Sequence, residues 1–239
     1  MLSRHLKRLN LPKAIQIPRK EHKFAVKVIS GPHGVEESLP LGLILRDYLK
    51  LVDTMWEAKK VLNSRVVYVD NVVRTDHKFP LGLMDVLSIP SIGKYYRILY
   101  DIKGRLILVE IPKEESTWKL LKIENITMVK GNKYQYNFHD GRNLVLNEKI
   151  YKTGDSIKYD LQKKEILEHI PMAENTYSFI TGGKSVGRIA RIDQYIETKS
   201  SSPNIVKFKE GFETISDFVF PVGTVKPLIM VPEVNLSEQ

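Results

Sequence analysis

The stretch of this 239-residue chain whose residue types come nearest to doing chemistry is Thr181-Gly182-Gly183-Lys184-Ser185-Val186-Gly187-Arg188-Ile189. Gly183-Lys184-Ser185 is the ending of a nucleotide-binding P-loop, in which backbone N–H groups wrap the phosphates. That loop needs a glycine five residues ahead of the Gly-Lys pair, and counting back from Gly183 reaches Ser178 instead. A P-loop lysine also opens a helix. Lys184 is followed by Val186, Gly187, Ile189 and Ile192, an alternation broken by glycine. The pattern points away from an NTPase and toward a nucleic-acid-binding loop on a small β-barrel, so no nucleotide and no cofactor are expected.

Other chemistries find less support. The six histidines, His5, His22, His33, His77, His139 and His169, never recur at i, i+3 or i, i+4, and no metal site is expected. His139-Asp140 is the one adjacent His/Asp pair. It lies in a hairpin-like stretch, Phe138-His139-Asp140-Gly141-Arg142-Asn143, where neighbouring side chains point to opposite faces. There is no cysteine for a thiolate, a disulfide or a zinc site. No catalytic residue is assigned.

Charge is more informative. Lys and Arg number 37 against 28 Asp and Glu, a formal net charge of +9. Such a balance favours polyanionic partners, nucleic acid first. The excess is uneven. Before residue 36 the cations are Arg4, Lys7, Arg8, Lys13, Arg19, Lys20, Lys23 and Lys27, and Glu21 is the sole carboxylate. Pro12, Pro18 and Pro32 prevent one amphipathic membrane helix, so an extended basic arm that orders on a phosphate backbone is expected. No apolar run is long enough to span a bilayer, and no membrane partner is expected.

The elements that must position these charges read as α+β, mostly β, in several domains. After the turn Ser30-Gly31-Pro32-His33-Gly34, Ser38 is placed to N-cap a helix carrying Pro40, Leu41, Ile44, Leu45, Tyr48 and Leu49. Thr54 and Glu57 form a capping box for a second helix closed by Val61 and Leu62. Residues 65–69 and 72–74 form a hairpin around Asp70-Asn71, and residues 83–89 form a further strand. This helix-helix-hairpin block carries Arg46, Lys50, Lys59, Lys60 and Arg65, with Arg74, His77 and Lys78 leaving it. Beyond Gly93 strand-like runs dominate: 95–100, 105–111, 123–129, 134–138, 144–146, 156–161, 194–198, 205–208 and 218–222. Residues 119–121 could instead form a helical turn.

The order of motifs resembles the archaeal and eukaryotic small-subunit ribosomal protein family S-four-e. The matching residues are His5-Leu6-Lys7-Arg8-Leu9, Gly31-Pro32-His33, Glu37-Ser38-Leu39-Pro40-Leu41 and Val73-Arg74-Thr75-Asp76, followed by Pro80-Leu81-Gly82-Leu83-Met84-Asp85. They continue with Tyr100-Asp101-Ile102-Lys103-Gly104-Arg105, His139-Asp140-Gly141-Arg142, Thr181-Gly182-Gly183 and Gly187-Arg188-Ile189. The resemblance implies a non-enzymatic rRNA-binding protein of the cytoplasmic ribosome. Its parts would be a basic arm (1–37), an α-L RNA-binding module (38–94), a central β-rich domain (95–172), a KOW-type SH3-like barrel (173–230) and a tail (231–239). Small-subunit rRNA and neighbouring ribosomal proteins are the implied partners, with a monomer off the ribosome. The candidate RNA contacts are Arg4, Lys7, Arg8, Lys13, Arg19 and Lys20 on the arm. On the α-L module they are Arg46, Lys59, Lys60, Arg65, Arg74 and Lys78, and in the barrel loop Lys184, Arg188 and Arg191.

Two rivals come from other classes: an RNA-modifying enzyme carrying an α-L module as accessory, and a KOW-type transcription or RNA adaptor. The enzyme would need a catalytic domain, and residues 95–170 offer no recognisable active-site motif. An adaptor would wash off small subunits where a ribosomal protein would stay.

Overall fold

The computed structural model describes residues 5–200 and 202–231. The described chain forms two units. The first runs to Leu99 and resumes over Arg105–Lys119; the second takes Tyr100–Gly104 and the chain from Leu120.

The first unit begins with two short paired strands, β1 (Leu6–Lys7) and β2 (Phe24–Ala25), and continues to β3 (Leu39–Pro40). Helix α1 (Leu41–Leu43) runs directly into a π-helical turn over Ile44–Tyr48, closed by Leu49 N–H donating to the Ile44 carbonyl at 2.9 Å. Ser38, expected as its cap, instead donates its hydroxyl to the Gly34 carbonyl at 2.6 Å, and Pro40 stands at the helix N-cap. Pro40 has no side-chain acceptor to offer, and the first helical N–H groups donate to main-chain carbonyls instead, Leu41 to Phe79 at 3.0 Å and Gly42 to His77 at 2.8 Å.

Helix α2 (Met55–Asn63) starts as its sequence predicts. Glu57 N–H donates to Thr54 Oγ1 at 3.2 Å, and the Glu57 carboxylate accepts from Thr54 N–H at 3.3 Å. Ala58 and Leu62, one turn apart, face inward and are fully buried. The hairpin of β4 (Tyr68–Val69) and β5 (Val72–Val73) turns at Asp70 and Asn71, both with positive φ (50° and 62°), as a type I′ turn requires. It joins β7 (Val86–Ile89), β8 (Lys94–Tyr100) and β9 (Leu106–Glu110) in a five-stranded sheet of order β5-β4-β7-β8-β9, while β6 (Pro80–Leu81) pairs with β3.

The chain passes into the second unit along β10 (Trp118–Val129). Residues 119–121 are therefore strand, not a helical turn. With β11 (Lys133–Phe138), β12 (Asn143–Leu146), β13 (Ser156–Asp160) and β14 (Ile166–Ile170) this strand builds a sheet of order β12-β11-β10-β13-β14. Leu121, Ile123, Tyr136, Phe138 and Ile157 form its core. The last sheet holds β15 (Tyr177–Ile180), β16 (Ile189–Ile196), β17 (Ile205–Phe208), β18 (Glu213–Ile215) and β19 (Val219–Gly223), ordered β18-β17-β16-β15-β19 around Ile180, Ala190, Ile192, Val206 and Val219. The pairings within this last sheet are antiparallel, both between consecutive strands and where β19 returns to pair with β15. Strands β14 and β18 were not expected from the sequence.

Candidate nucleic-acid interface

The basic N-terminal segment is not an extended arm. Leu11, Ala14, Ile15, Ile17 and Val28 are buried in the first unit, and burying apolar area of that size outweighs what an extended chain would gain in freedom. Main-chain bonds fix the path: Leu106 N–H donates to the Ala14 carbonyl at 2.9 Å, and Ile29 N–H to the Lys78 carbonyl at 3.1 Å. Gln16 N–H donates to the Tyr48 hydroxyl at 2.9 Å. The apolar residues turn in, so Lys7, Lys13, Arg19 and Lys20 turn out to solvent. Arg8 is the exception. It is only 2% exposed, with Nη1 donating to Glu21 at 3.4 Å, so it serves the fold and is not an open phosphate ligand. Arg4 lies outside the described residues.

On the helix-helix-hairpin block Lys59, Lys60, Arg65 and Lys78 are exposed. Arg46 is half-buried and lies against Asp47, with Nε at 3.0 Å and Nη2 at 2.9 Å from Oδ2, which neutralises much of its field. Arg74 stacks its guanidinium over the Phe79 ring at 4.2 Å and is also half-buried. The first unit also contains a buried polar cluster that the sequence did not reveal. Lys119 is fully buried and donates to Asp70 at 2.8 Å and to Asp85 at 2.6 Å. His33 Nε2 stands 3.0 Å from the other oxygen of Asp85, which also accepts from Gly82 N–H at 2.9 Å. Burial pushes the Asp85 carboxyl up; the charges of Lys119 and His33 more than offset this and hold it well below the usual carboxylate range. Next to it Arg97, 1% exposed, lies over Trp118 at 4.2 Å and donates to the Glu115 and Trp118 carbonyls.

This cluster explains two sequence motifs physically. Gly31-Pro32-His33 and Pro80-Leu81-Gly82-Leu83-Met84-Asp85 meet where the His33 ring crosses Gly82, so closely that a Cβ on Gly82 would overlap the ring. His33 then reaches Asp85 only because position 82 carries no side chain.

In the second unit the glycines of residues 181–189 are likewise used by the chain itself. A Cβ on Gly182 would sit 2.7 Å from the Phe218 ring. Gly187 has φ +79° and would place a Cβ 2.5 Å from the carbonyl carbon of Asp101. Thr181 N–H donates to the Phe218 carbonyl at 2.9 Å, and Gly187 N–H to the Ile180 carbonyl at 2.8 Å. A glycine-rich loop links β15 to β16, and no helix follows Lys184. Lys184 and Arg188 are exposed at this turn. Arg191 is less available: it is half-buried, its Nε donates to the Asn175 carbonyl at 3.1 Å, and its guanidinium lies 4.8 Å from the Tyr177 ring centre.

Sequence reasoning also missed Lys122. It lines a cleft of about 510 Å³ with Glu124, Asn125, Tyr195 and Asp217, and donates to the Asp217 and Ser216 carbonyls at 2.7 and 3.3 Å. Burial, partly offset by Asp217 and Glu124, lowers its pKa to about 8. His139 and Asp140 serve separate backbone partners, His139 accepting from Lys122 N–H and Asp140 from Arg142 N–H. Among the described residues no three His, Asp or Glu side chains converge as metal ligands would. The two units thus present exposed cations around rigid, glycine-dependent backbone.

Comparison with known proteins adds what geometry alone does not. A family model described as "Ribosomal family S4e" matches residues 92–166, and one described as "RS4NT (NUC023) domain" matches residues 2–36. The chain is 45% identical over 238 residues to the small ribosomal subunit protein eS4 of Methanocaldococcus jannaschii, covering 95% of this chain and 96% of that protein. It is also 45% identical over 236 residues to the eS4 protein of Archaeoglobus fulgidus, covering 96% and 98%. The crystal structure of the 30S ribosomal protein S4e from Thermoplasma acidophilum matches with a TM-score of 0.71 at 38% identity, over 79% of this chain and 96% of that one.

Proposed function

Because the chain belongs to the ribosomal S4e family, whose members are structural proteins and not enzymes, we propose that it is a structural constituent of the small ribosomal subunit in the cytoplasm. The observation that carries this reading is identity at 45% over nearly the full length of both chains. The protein binds small-subunit rRNA, with no nucleotide or other cofactor, as a monomer off the ribosome and beside other small-subunit proteins on it.

The exposed cations supply the contacts: Lys7, Lys13, Arg19, Lys20, Lys59, Lys60, Arg65 and Lys78 on the first unit, Lys184 and Arg188 on the second. Phosphate contacts of this kind position a protein without reading sequence, so folded RNA shape is recognised. Arg8, Arg46, Arg74 and Arg191 support the surface from within, each already engaged by a carboxylate, a ring or a carbonyl. In modular terms the helix-helix-hairpin block is an α-L RNA-binding module, the sheet from β10 to β14 a central β-rich domain, and the last sheet a KOW-type SH3-like barrel. The folded N-terminal segment contributes a preformed surface, so less ordering entropy is lost on binding than an extended arm would lose.

Washed sucrose gradients test the proposal. The full-length protein is expected to stay with small subunits after a salt wash. Release into the soluble fraction would instead support a free RNA or transcription adaptor.

A further inference from the structure

Helix α2 exposes a stripe that the basic-surface reading does not absorb. Trp56, Lys59, Lys60 and Asn63 recur at i, i+3, i+4 and i+7, and all four face solvent, while Ala58 and Leu62 are buried on the other side. Trp56 is 64% exposed although the Lys60 ammonium lies 3.6 Å from its ring centre. A tryptophan left in water forgoes the stabilisation that burying its large apolar surface would bring, and Lys60 covers only part of it. None of these four is a carboxylate; Glu57, on the same helix, is engaged by the capping box and also feels the charge of Lys60.

We propose that Trp56 is a stacking platform for an unpaired RNA base, with Lys59 and Lys60 holding the phosphate of the same nucleotide. Three features favour a nucleotide over a protein segment. The exposed stripe that Trp56 belongs to is polar: Lys59, Lys60 and Asn63 follow it at helical spacing, unlike the apolar clusters that a protein hot spot gathers. Charge complementarity selects an anion. A planar π-face beside ammonium groups pairs a base with its own phosphate, the combination that single-stranded RNA presents. With Lys60 over one face, the wide remaining exposure leaves room for a base against the indole. On binding, the Lys60 ammonium can swing from the ring to the phosphate on its flexible stem.

The inference rests on the rRNA-binding reading, and the experiment separates the two. The chain has two tryptophans, and Trp118 is only 9% exposed. Full-length wild-type protein, Trp56→Phe and Trp56→Ala are titrated with deproteinised small-subunit rRNA, following both affinity and tryptophan emission. Wild-type emission is expected to be quenched on binding, with that quenching missing in Trp56→Phe. Trp56→Ala should bind about ten-fold more weakly, and Trp56→Phe, which keeps a π-face, should recover most of the loss. Because stacking releases no counterions, the salt slope of Trp56→Ala should match wild type, whereas Lys60→Gln should lower it by about one. Unchanged affinity and no Trp56 quenching, with rRNA binding intact, would overturn the stacking role alone. If both variants bind rRNA like wild type yet fail to enter small subunits, the stripe belongs to a protein neighbour and the proposal is likewise overturned. Failure of the wild-type protein to bind the rRNA would remove the underlying reading as well.

Discussion

Replacing Lys119 by methionine will destabilise the first unit by about 3–5 kcal/mol at neutral pH, the cost typical of breaking a buried ion pair from one side. Lys119 is fully buried between Asp70 and Asp85 at 2.8 and 2.6 Å, and methionine keeps its length while removing its charge. Two carboxylates would then stand in the interior without the lysine, His33 lying 3.0 Å from Asp85 and the N–H groups of Gly82 and Val86 still donating to Asp85 and Asp70. Desolvated charge without a partner is the expensive arrangement; a missing hydrogen bond alone would cost far less. The sign of the pH dependence separates this from simple mispacking. In the wild type the Asp85 carboxyl titrates below its ordinary value of 3.8, so its stabilisation is complete above that pH and is lost as pH falls further. In Lys119→Met burial prevails and raises the carboxyl pKa, so stability should improve as pH falls toward 4 and the aspartates take up protons. Urea melts of wild type and variant at pH 7 and at pH 4.5 check both points: the gap between them should narrow in acid. A gap that stays constant would assign the loss to packing.

Gly187→Ala is the second large effect, expected at about 2–5 kcal/mol in the second unit. Overpacking against rigid structure costs about 1–3 kcal/mol, and forcing alanine into the left-handed region adds about 1–2 kcal/mol. Both apply at Gly187, where φ is +79° and the new Cβ would meet the Asp101 carbonyl carbon at 2.5 Å and Ile102 N at 2.7 Å. Those atoms are backbone and cannot rotate away. Gly183 is the internal control. Its φ is also +79°, but a Cβ there would find Thr214 Oγ1 at an ordinary 3.6 Å, so Gly183→Ala should cost only about 1–2 kcal/mol from conformation. Thermal melts of the two variants distinguish the accounts. Equal losses would mean that the conformational cost dominates and that the approach to Asp101 is not tight.

What the sequence made legible follows the range of the interactions. The Thr54-Glu57 capping box and the Asp70-Asn71 turn are settled by residues within four positions of each other, and both stand as read. The family resemblance likewise rested on short motifs in order. The Gly183-Lys184-Ser185 segment was separated from a P-loop by its own neighbours. Long-range partners were not legible. Lys119 looked like part of a helical turn because its aspartates lie 49 and 34 residues away. The N-terminal segment read as an arm because its cations are frequent and its apolar residues irregularly spaced. Its docking depends on Leu106 and Tyr48, far along the chain. Strand β14 was hidden by Leu167, an apolar residue at a position that faces solvent, which blurs the alternation of Ile166, Glu168 and Ile170. Trp56 carried no signal of its own in the sequence, because only the structure tells an aromatic residue on a helix's buried face from one left outside.

The same distinction bears on the interface. Cations chosen from composition divide, in the structure, into exposed ones and partly or fully buried ones. Lys59, Lys60, Lys184 and Arg188 belong to the first group. The most direct test of rRNA binding through these exposed cations is therefore the salt dependence of full-length protein binding to deproteinised small-subunit rRNA, compared with a variant in which these four residues are glutamine. For the wild type log K is expected to fall linearly with log salt, and the variant slope should be shallower by about four, one for each phosphate that is no longer neutralised. A wild-type affinity indifferent to salt, or a variant slope equal to the wild type, would contradict it.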